Sequence, residues 1–170
     1  DFGGRGGSGA TKEQFTENFR NPAKRVPRGF ILPSNQPDFL TAEKFLVALQ
    51  KAGIIVHRAT GTFTAGGKQY PSGSYVVKSN QAFRAHVLDM FEPQDHPNDF
   101  AYPGAAPTRP YDNAGWTLAI QMGVKFDRVL DGFDGPFTRL DPLTNRIKPD
   151  PTTVATTGAG WVMSSKVNDA

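Results

Sequence analysis

Apolar positions recur at helical spacing most clearly between Asp38 and Gly53, where Ala42, Phe45, Leu46, Leu49 and Ala52 share one face. Asp38 stands where an N-cap belongs, and Gly53 supplies a left-handed cap at the other end. Short uninterrupted apolar runs flank this helix, Gly29-Phe30-Ile31-Leu32 before it and Ile54-Ile55-Val56 after it. Runs apolar at every position read as buried strands. Strand, helix and strand are therefore expected to make one right-handed crossover with two parallel strands, the core of an α/β sheet.

The pattern changes between Phe63 and Val77, where Gly66-Gly67 predicts a two-residue hairpin turn and Pro71-Ser72-Gly73 a second bend before the β-favouring run Tyr75-Val76-Val77. Asn80 is placed to cap a further helix to about Phe91, with Phe83, Val87, Met90 and Phe91 on its inner face. Upstream, Thr11 and Gln14 have the spacing of a capping box, for a short peripheral helix to about Arg20 whose apolar residues are Phe15 and Phe19. A short helix is expected from Ala114 to Met122, closed by Gly123, and a strand between Val124 and Leu130.

Elsewhere periodicity is lost. Prolines 93, 97, 103, 107 and 110 punctuate the stretch from Glu92 to Asn113, and connections of that length usually are functional loops or packing surfaces. Tyr102, Tyr111 and Trp116 are the aromatic anchors nearby, with a place in the core the alternative for Trp116. Residues 131 to 157 also read as loop. Gly160-Trp161-Val162-Met163-Ser164-Ser165 with Asp169 then repeats the order of Gly29 to Ser34 with Asp38: glycine, apolar strand, polar turn, acidic cap. The repeat stops at Ala170 before a covering helix, so the chain is expected to be a fragment. The division that follows is 1–28, a Gly-rich segment, short helix and basic lead-in loop; 29–130, an α/β domain; and 131–170, loop and the start of a next strand-helix unit. The fold class is α/β, a partial and mostly parallel sheet with flanking helices, a β-hairpin and long Pro/Gly-rich loops.

Composition narrows the chemistry. At 170 residues and 38% hydrophobic, the chain can bury one core but not comfortably two. Its net charge of +3 comes from scattered Lys and Arg, without the basic stripe of a nucleic-acid binder. The absence of cysteine removes disulfides, thiolate metal sites and a cysteine nucleophile together. No apolar run approaches the roughly 20 residues a membrane-crossing helix requires. Gly4, Gly6 and Gly9 match G-x-G-x-x-G formally, but no strand precedes them to position a phosphate loop.

Ligands in open α/β sheets sit where strand C-terminal ends meet helix N-termini, which points to Asn35, Gln36 and Asp38 after the first strand and His57 and Arg58 after the second. The structural alternative is that Asn35 and Asp38 cap a helix while His57 and Arg58 begin a loop. His86 and Asp89, three apart on a helix, with His96 beyond, form a weaker metal-ligand pattern, which a surface helix followed by the acidic residues Glu92, Asp95 and Asp99 also explains.

Several ordered strings bear on identity: Leu32-Pro33-Ser34-Asn35-Gln36-Pro37-Asp38, Val56-His57-Arg58-Ala59, Tyr70-Pro71-Ser72-Gly73-Ser74-Tyr75-Val76-Val77, Phe91-Glu92-Pro93-Gln94, and Pro110-Tyr111-Asp112 with Gly115-Trp116-Thr117-Leu118. Across Arg28 to Val124 the chain resembles a region downstream of the catalytic domain in large bacterial zinc carboxypeptidases of the carboxypeptidase A-like class. There an accessory domain similar to class I glutamine amidotransferases follows the peptidase. The resemblance implies a secreted or periplasmic parent protein, a neighbouring peptidase domain of the same polypeptide as partner, and zinc in that domain rather than in this chain. None of the three histidines has a glutamate three residues later, so the His-x-x-Glu zinc pair is missing, and the cysteine of an amidotransferase is missing too. The expectation is a non-catalytic accessory domain with a structural or substrate-access role. The alternatives are a free-standing small-molecule binding module at the strand ends and a metal-dependent hydrolase using His86, Asp89 and His96.

Overall fold

A computed structural model describes residues 11–21, 24–94, 96–111 and 115–141. In chain order the elements are α1 (Lys12–Arg20), β1 (Gly29–Leu32), α2 (Phe39–Lys51), β2 (His57–Ala59), β3 (Phe63–Ala65), β4 (Lys68–Tyr70), β5 (Tyr75–Lys78), α3 (Arg84–Phe91), α4 (Leu118–Gln121), β6 (Asp127–Val129) and β7 (Phe137–Arg139). Helices and sheet together make an α/β fold. Among the described residues no helix is long and apolar enough to cross a membrane.

Five strands form one sheet in the order β6-β1-β5-β2-β7, and each neighbouring pair is antiparallel. The expected parallel pairing is therefore wrong in a specific way. β1 and β2 both run antiparallel to β5, so they do point the same way, but β5 lies between them and splits the β-α-β unit. Nor is Ile54 to Val56 the second strand; that segment is extended, and pairing begins at His57.

The misleading signal was burial at every position of β1. A run of that kind reports a strand covered on both faces, which parallel sheets nearly always are but which this antiparallel sheet is as well. On one face Phe30, Leu32, Tyr75 and Val77 meet Ala42, Phe45, Leu46 and Leu49 of α2, Val87 and Phe91 of α3, and Ala119 of α4. Phe30 stacks on Phe91 with ring centres 4.2 Å apart, and Phe45 and Phe126 present edges to the same ring at 5.1 Å. Such pairs add about 0.5–1.5 kcal/mol each beyond their buried area.

On the other face Ile31, Ala59, Val76 and Val129 meet Phe63, Ala65 and Tyr70 of the β3-β4 hairpin. Its turn has positive φ at both Gly66 and Gly67, the backbone a type I′ turn demands. Beyond β6 the chain crosses the sheet from one edge to the other, four strand spacings of about 4.8 Å, before β7 pairs with β2. The crossing segment carries Phe133 onto the hairpin-side cluster. The sequence pattern between 131 and 157 holds no strand, and β7 corrects that: a three-residue edge strand with two of its three residues exposed leaves no apolar alternation to read.

Local signals located the helices well. α2 is capped by Asp38, whose Oδ1 accepts the Thr41 N–H at 3.0 Å, and it closes in a Schellman motif with Ile54 N donating to Leu49 O and Gly53 N to Gln50 O. Ala52, however, is exposed rather than part of the buried stripe. α1 carries both halves of the Thr11–Gln14 capping box and buries no residue. α3 starts at Arg84 rather than after Asn80, because the Gln81 side chain ties the intervening turn to β5 and to Ile55. The repeated Gly160 motif and Ala114 lie outside the described residues.

Candidate functional site

The sheet has two ends, and each holds a cavity. At the C-terminal end of β1, Pro33, Asn35, Lys68, Val124, Lys125, Phe126 and Asp127 line a space of about 420 Å³. This is the end where the strand-end residues were expected to act, and most of their polar groups are already engaged. Gln36 donates from Nε2 to the carbonyls of Pro33 (3.1 Å) and Lys125 (2.7 Å) and accepts the Lys125 N–H at 3.0 Å. It is a clip between the start of α2 and the approach to β6. Both carboxylate oxygens of Asp38 face Thr41, in the capping role that was the structural alternative. Asn35 is exposed on the cavity wall.

One ion pair stands at this end. Lys68 Nζ lies 2.6 Å from Asp127 Oδ2. Burial, and then the neighbouring Asp127 carboxylate, push the Tyr70 phenol far above its ordinary value. Lys68 is thus neutralised by Asp127, while the exposed Lys125 on the same wall has no ion-pair partner among the described residues.

His57 and Arg58 do not follow a strand; they are in one, and their side chains part. Arg58 sits 6.0 Å from the Tyr75 ring centre, on the helix-covered face. His57 pairs with Val76 at the N-terminal end of β2, and its Nδ1 is buried with no hydrogen-bond partner among the described residues. Burial lowers its pKa, and the positive charges of Lys78 and Arg139 lower it further. The structure thus gathers Asn35, Gln36 and Asp38 but separates His57 from them.

His86, Asp89 and His96 are not brought together either. His86 Nε2 is buried in α3 without a partner among the described residues, while the exposed His96 Nε2 is 2.9 Å from the Thr108 carbonyl. Among the described residues no three His, Asp or Glu side chains gather as a metal site.

The opposite end of the sheet holds groups the sequence reading missed. Pro27, Arg28, Lys78, Ser79, Asn80, Arg84, Gly132 and Phe133 line a cleft of about 240 Å³. Its construction follows from register. Gly29 pairs with Lys78, so Arg28 and Ser79 come next to each other one step beyond, joined by Ser79 N donating to Arg28 O at 2.9 Å. Gln81 holds the turn that follows, accepting from Ile55 N at 2.7 Å and donating to the carbonyls of Lys78 and Ile55. That turn delivers Arg84 at the start of α3. The available signal was a basic residue directly before one strand and a polar turn directly after another. The antiparallel pairing that joins the two was the missing step.

The proline-rich segment after α3 is a built loop. Phe100 bridges to Pro107, Thr108 N donates to Asp99 O at 2.8 Å, and a turn from Tyr102 to Ala105 sits between them. Tyr102 is 67% exposed, Phe100 is 41% exposed and Tyr111 is fully exposed, whereas Trp116 is half-buried with its ring 6.4 Å from that of His96. Set against family models, curated proteins and solved structures, the chain matches none.

Proposed function

We propose that the chain is a non-catalytic α/β accessory domain of a larger zinc-carboxypeptidase-like protein, secreted or periplasmic, and that it packs against the neighbouring peptidase domain in a structural or substrate-access role. The observation that carries the reading is the 96–111 loop. It is held in shape by its own backbone bonds, yet it turns Phe100, Tyr102 and Tyr111 to solvent. Ordered exposed aromatics are what interface anchors look like before their partner is in place. Further support comes from the occupied polar groups at the predicted strand-end site, where Gln36 and Asp38 hold the fold together, and from the ordered sequence strings between Arg28 and Val124.

The test is the native polypeptide itself, detected in its source by an antibody to this chain and then sequenced and cross-linked. The reading expects a product several times larger than 18.5 kDa, containing a His-x-x-Glu zinc pair and cross-linking to the 96–111 loop. A native product of 18.5 kDa overturns it, as does a larger one with no peptidase zinc ligands.

A further inference from the structure

Two Asp-Gly pairs, Asp131-Gly132 and Asp134-Gly135, stand on the segment that crosses the sheet between β6 and β7. An aspartate followed by glycine can react with its own backbone. The glycine nitrogen forms a bond to the aspartyl Cγ while a C–O bond of the protonated carboxyl breaks, and the amide proton leaves with that oxygen as water. Water then opens the resulting succinimide at either carbonyl, restoring aspartate or leaving the main chain routed through the side chain as isoaspartate. The water released in ring closure is returned in ring opening, so no other reactant is required. Glycine favours the attack because it has no Cβ in the way and its backbone turns freely. Between two such pairs, the deciding factor is how much of that freedom the fold has removed.

The fold treats the two pairs differently. Gly135 is wedged: a Cβ there would lie 2.8 Å from the Phe137 ring and 3.0 Å from the Phe63 Cβ. Its carbonyl accepts the Phe137 N–H at 2.8 Å, and the next carbonyl, that of Pro136, accepts the Thr60 N–H at 2.8 Å. The Lys78 ammonium and then the Gly135 N–H hold the Asp134 carboxyl below the usual carboxylate range, in the ionised form that is the poorer electrophile. Gly132 is exposed, and no atom outside its chain neighbours comes within 4 Å of where a Cβ would stand. Among the described residues neither Asp131 nor Gly132 makes a backbone hydrogen bond to another backbone group. One contact restrains this pair, the Arg25 guanidinium 2.6 Å from the Asp131 carboxylate, whose side chain is 75% exposed. A solvent-screened ion pair of that kind opens readily.

We propose that Asp131-Gly132 is a site of spontaneous isoaspartate formation, restrained by Arg25, and that Asp134-Gly135 is protected by its packing. The modification puts one extra carbon into the main chain directly before Phe133. That residue packs on the hairpin-side cluster, with its ring 5.4 Å from Lys78 Nζ. The added length therefore falls beside an anchor of the crossing segment, and the modified chain holds that segment more loosely. The site is independent of the accessory-domain reading, because it uses neither the 96–111 loop nor a peptidase partner.

Ageing the intact folded chain at neutral pH tests the proposal, with isoaspartyl groups labelled by an isoaspartyl-specific carboxyl methyltransferase and located by electron-transfer fragmentation of the digested chain. Isoaspartate is expected to accumulate at Asp131 several-fold faster than at Asp134. In urea the two pairs should react alike, which assigns the difference to the fold. Gly132→Ala should remove most of the signal at Asp131 while leaving thermal stability intact, because open space surrounds the added methyl group. Arg25→Gln should accelerate the reaction at Asp131 and leave Asp134 unchanged. The proposal is overturned if neither pair converts in the folded chain, if Asp134 converts as fast as Asp131, if the difference persists in urea, or if Gly132→Ala leaves the signal unchanged. Equal rates at Asp131 with and without Arg25, or equal acceleration of both pairs, overturn the role given to Arg25.

Discussion

The two ends of the central sheet are built from the same materials and differ in how many of their charges the fold has matched. Each has a glutamine making three hydrogen bonds to backbone across a chain junction, Gln36 at one end and Gln81 at the other. Each has lysine and other polar groups around a cavity. At the Gln36 end Lys68 has met Asp127 from the facing strand, Lys125 has no ion-pair partner among the described residues, and Gln36 and Asp38 clip and cap the fold. At the Gln81 end two arginines and a buried hydroxyl have found no partner within the described chain. What separates them is which strand each cavity borrows. β6 brings Asp127 to Lys68, whereas the junction of β1 with β5 brings Arg28 beside Ser79 and Lys78. The difference teaches that residue type near a strand end says less about binding than whether the fold has already matched it.

Three perturbations sharpen the contrast, the largest first. Gly29→Val attacks the seam of the basic end. A Cβ there would lie 2.9 Å from the Val77 carbonyl oxygen and 3.0 Å from the Phe133 ring. The oxygen belongs to the β1–β5 ladder and cannot move aside, so the substitution should cost about 1–3 kcal/mol in denaturant unfolding. Unchanged stability would mean that the seam is looser than the register implies.

Removing the two glutamine clips comes next. Gln81→Ala leaves the Ile55 N–H without its acceptor in a part-buried setting and should cost about 1–3 kcal/mol. The bonds of Gln36 to Lys125 are exposed, so water replaces them, and Gln36→Ala should cost less than about 1 kcal/mol. Equal losses for the two variants would remove the asymmetry.

The smallest effects are in pH dependence, where each end has its own reporter. His57 has a folded pKa below its usual 6.5, through burial and then through Lys78 and Arg139. The unfolded chain therefore binds the proton better, and stability present above about pH 6.5 is lost as pH falls through the folded value. His57→Gln should flatten that acid limb. Tyr70 is shifted the other way, through burial and then Asp127, so its contribution is intact below its usual 10.0 and declines as pH rises above it. Tyr70→Phe should flatten the alkaline limb. Unfolding free energies measured from pH 5 to 11 read both; an acid limb unchanged in His57→Gln would show that the imidazole is not held neutral.

The helices and turns of this fold were legible because their causes are local. Asp38 and Gly53 bound α2, Thr11 and Gln14 start α1, and Gly66-Gly67 makes the hairpin turn, each by chemistry within a few residues. β7 was not legible, since its pairing with β2 comes from a chain crossing of the whole sheet. The predicted ligand residues Asn35, Gln36 and Asp38 were found as a neighbouring group, but their hydrogen-bond partners at Lys125 and Thr41 decide what they do. His57 was displaced from them once the strand began three residues later than its apolar run suggested.

By itself the sequence determined that the chain would mix helix and strand, where its main helix and its hairpin turn would fall, and that no thiolate chemistry was open to it. Only the tertiary structure decided that β5 would enter between β1 and β2, turning an expected parallel sheet antiparallel and setting Arg28 beside Ser79. The reason is physical: a cap or a tight turn is a contract among residues a few positions apart, while burial of a strand on both faces is satisfied equally by parallel and antiparallel neighbours. The choice between them rests on contacts between residues some fifty positions apart, which no local pattern encodes.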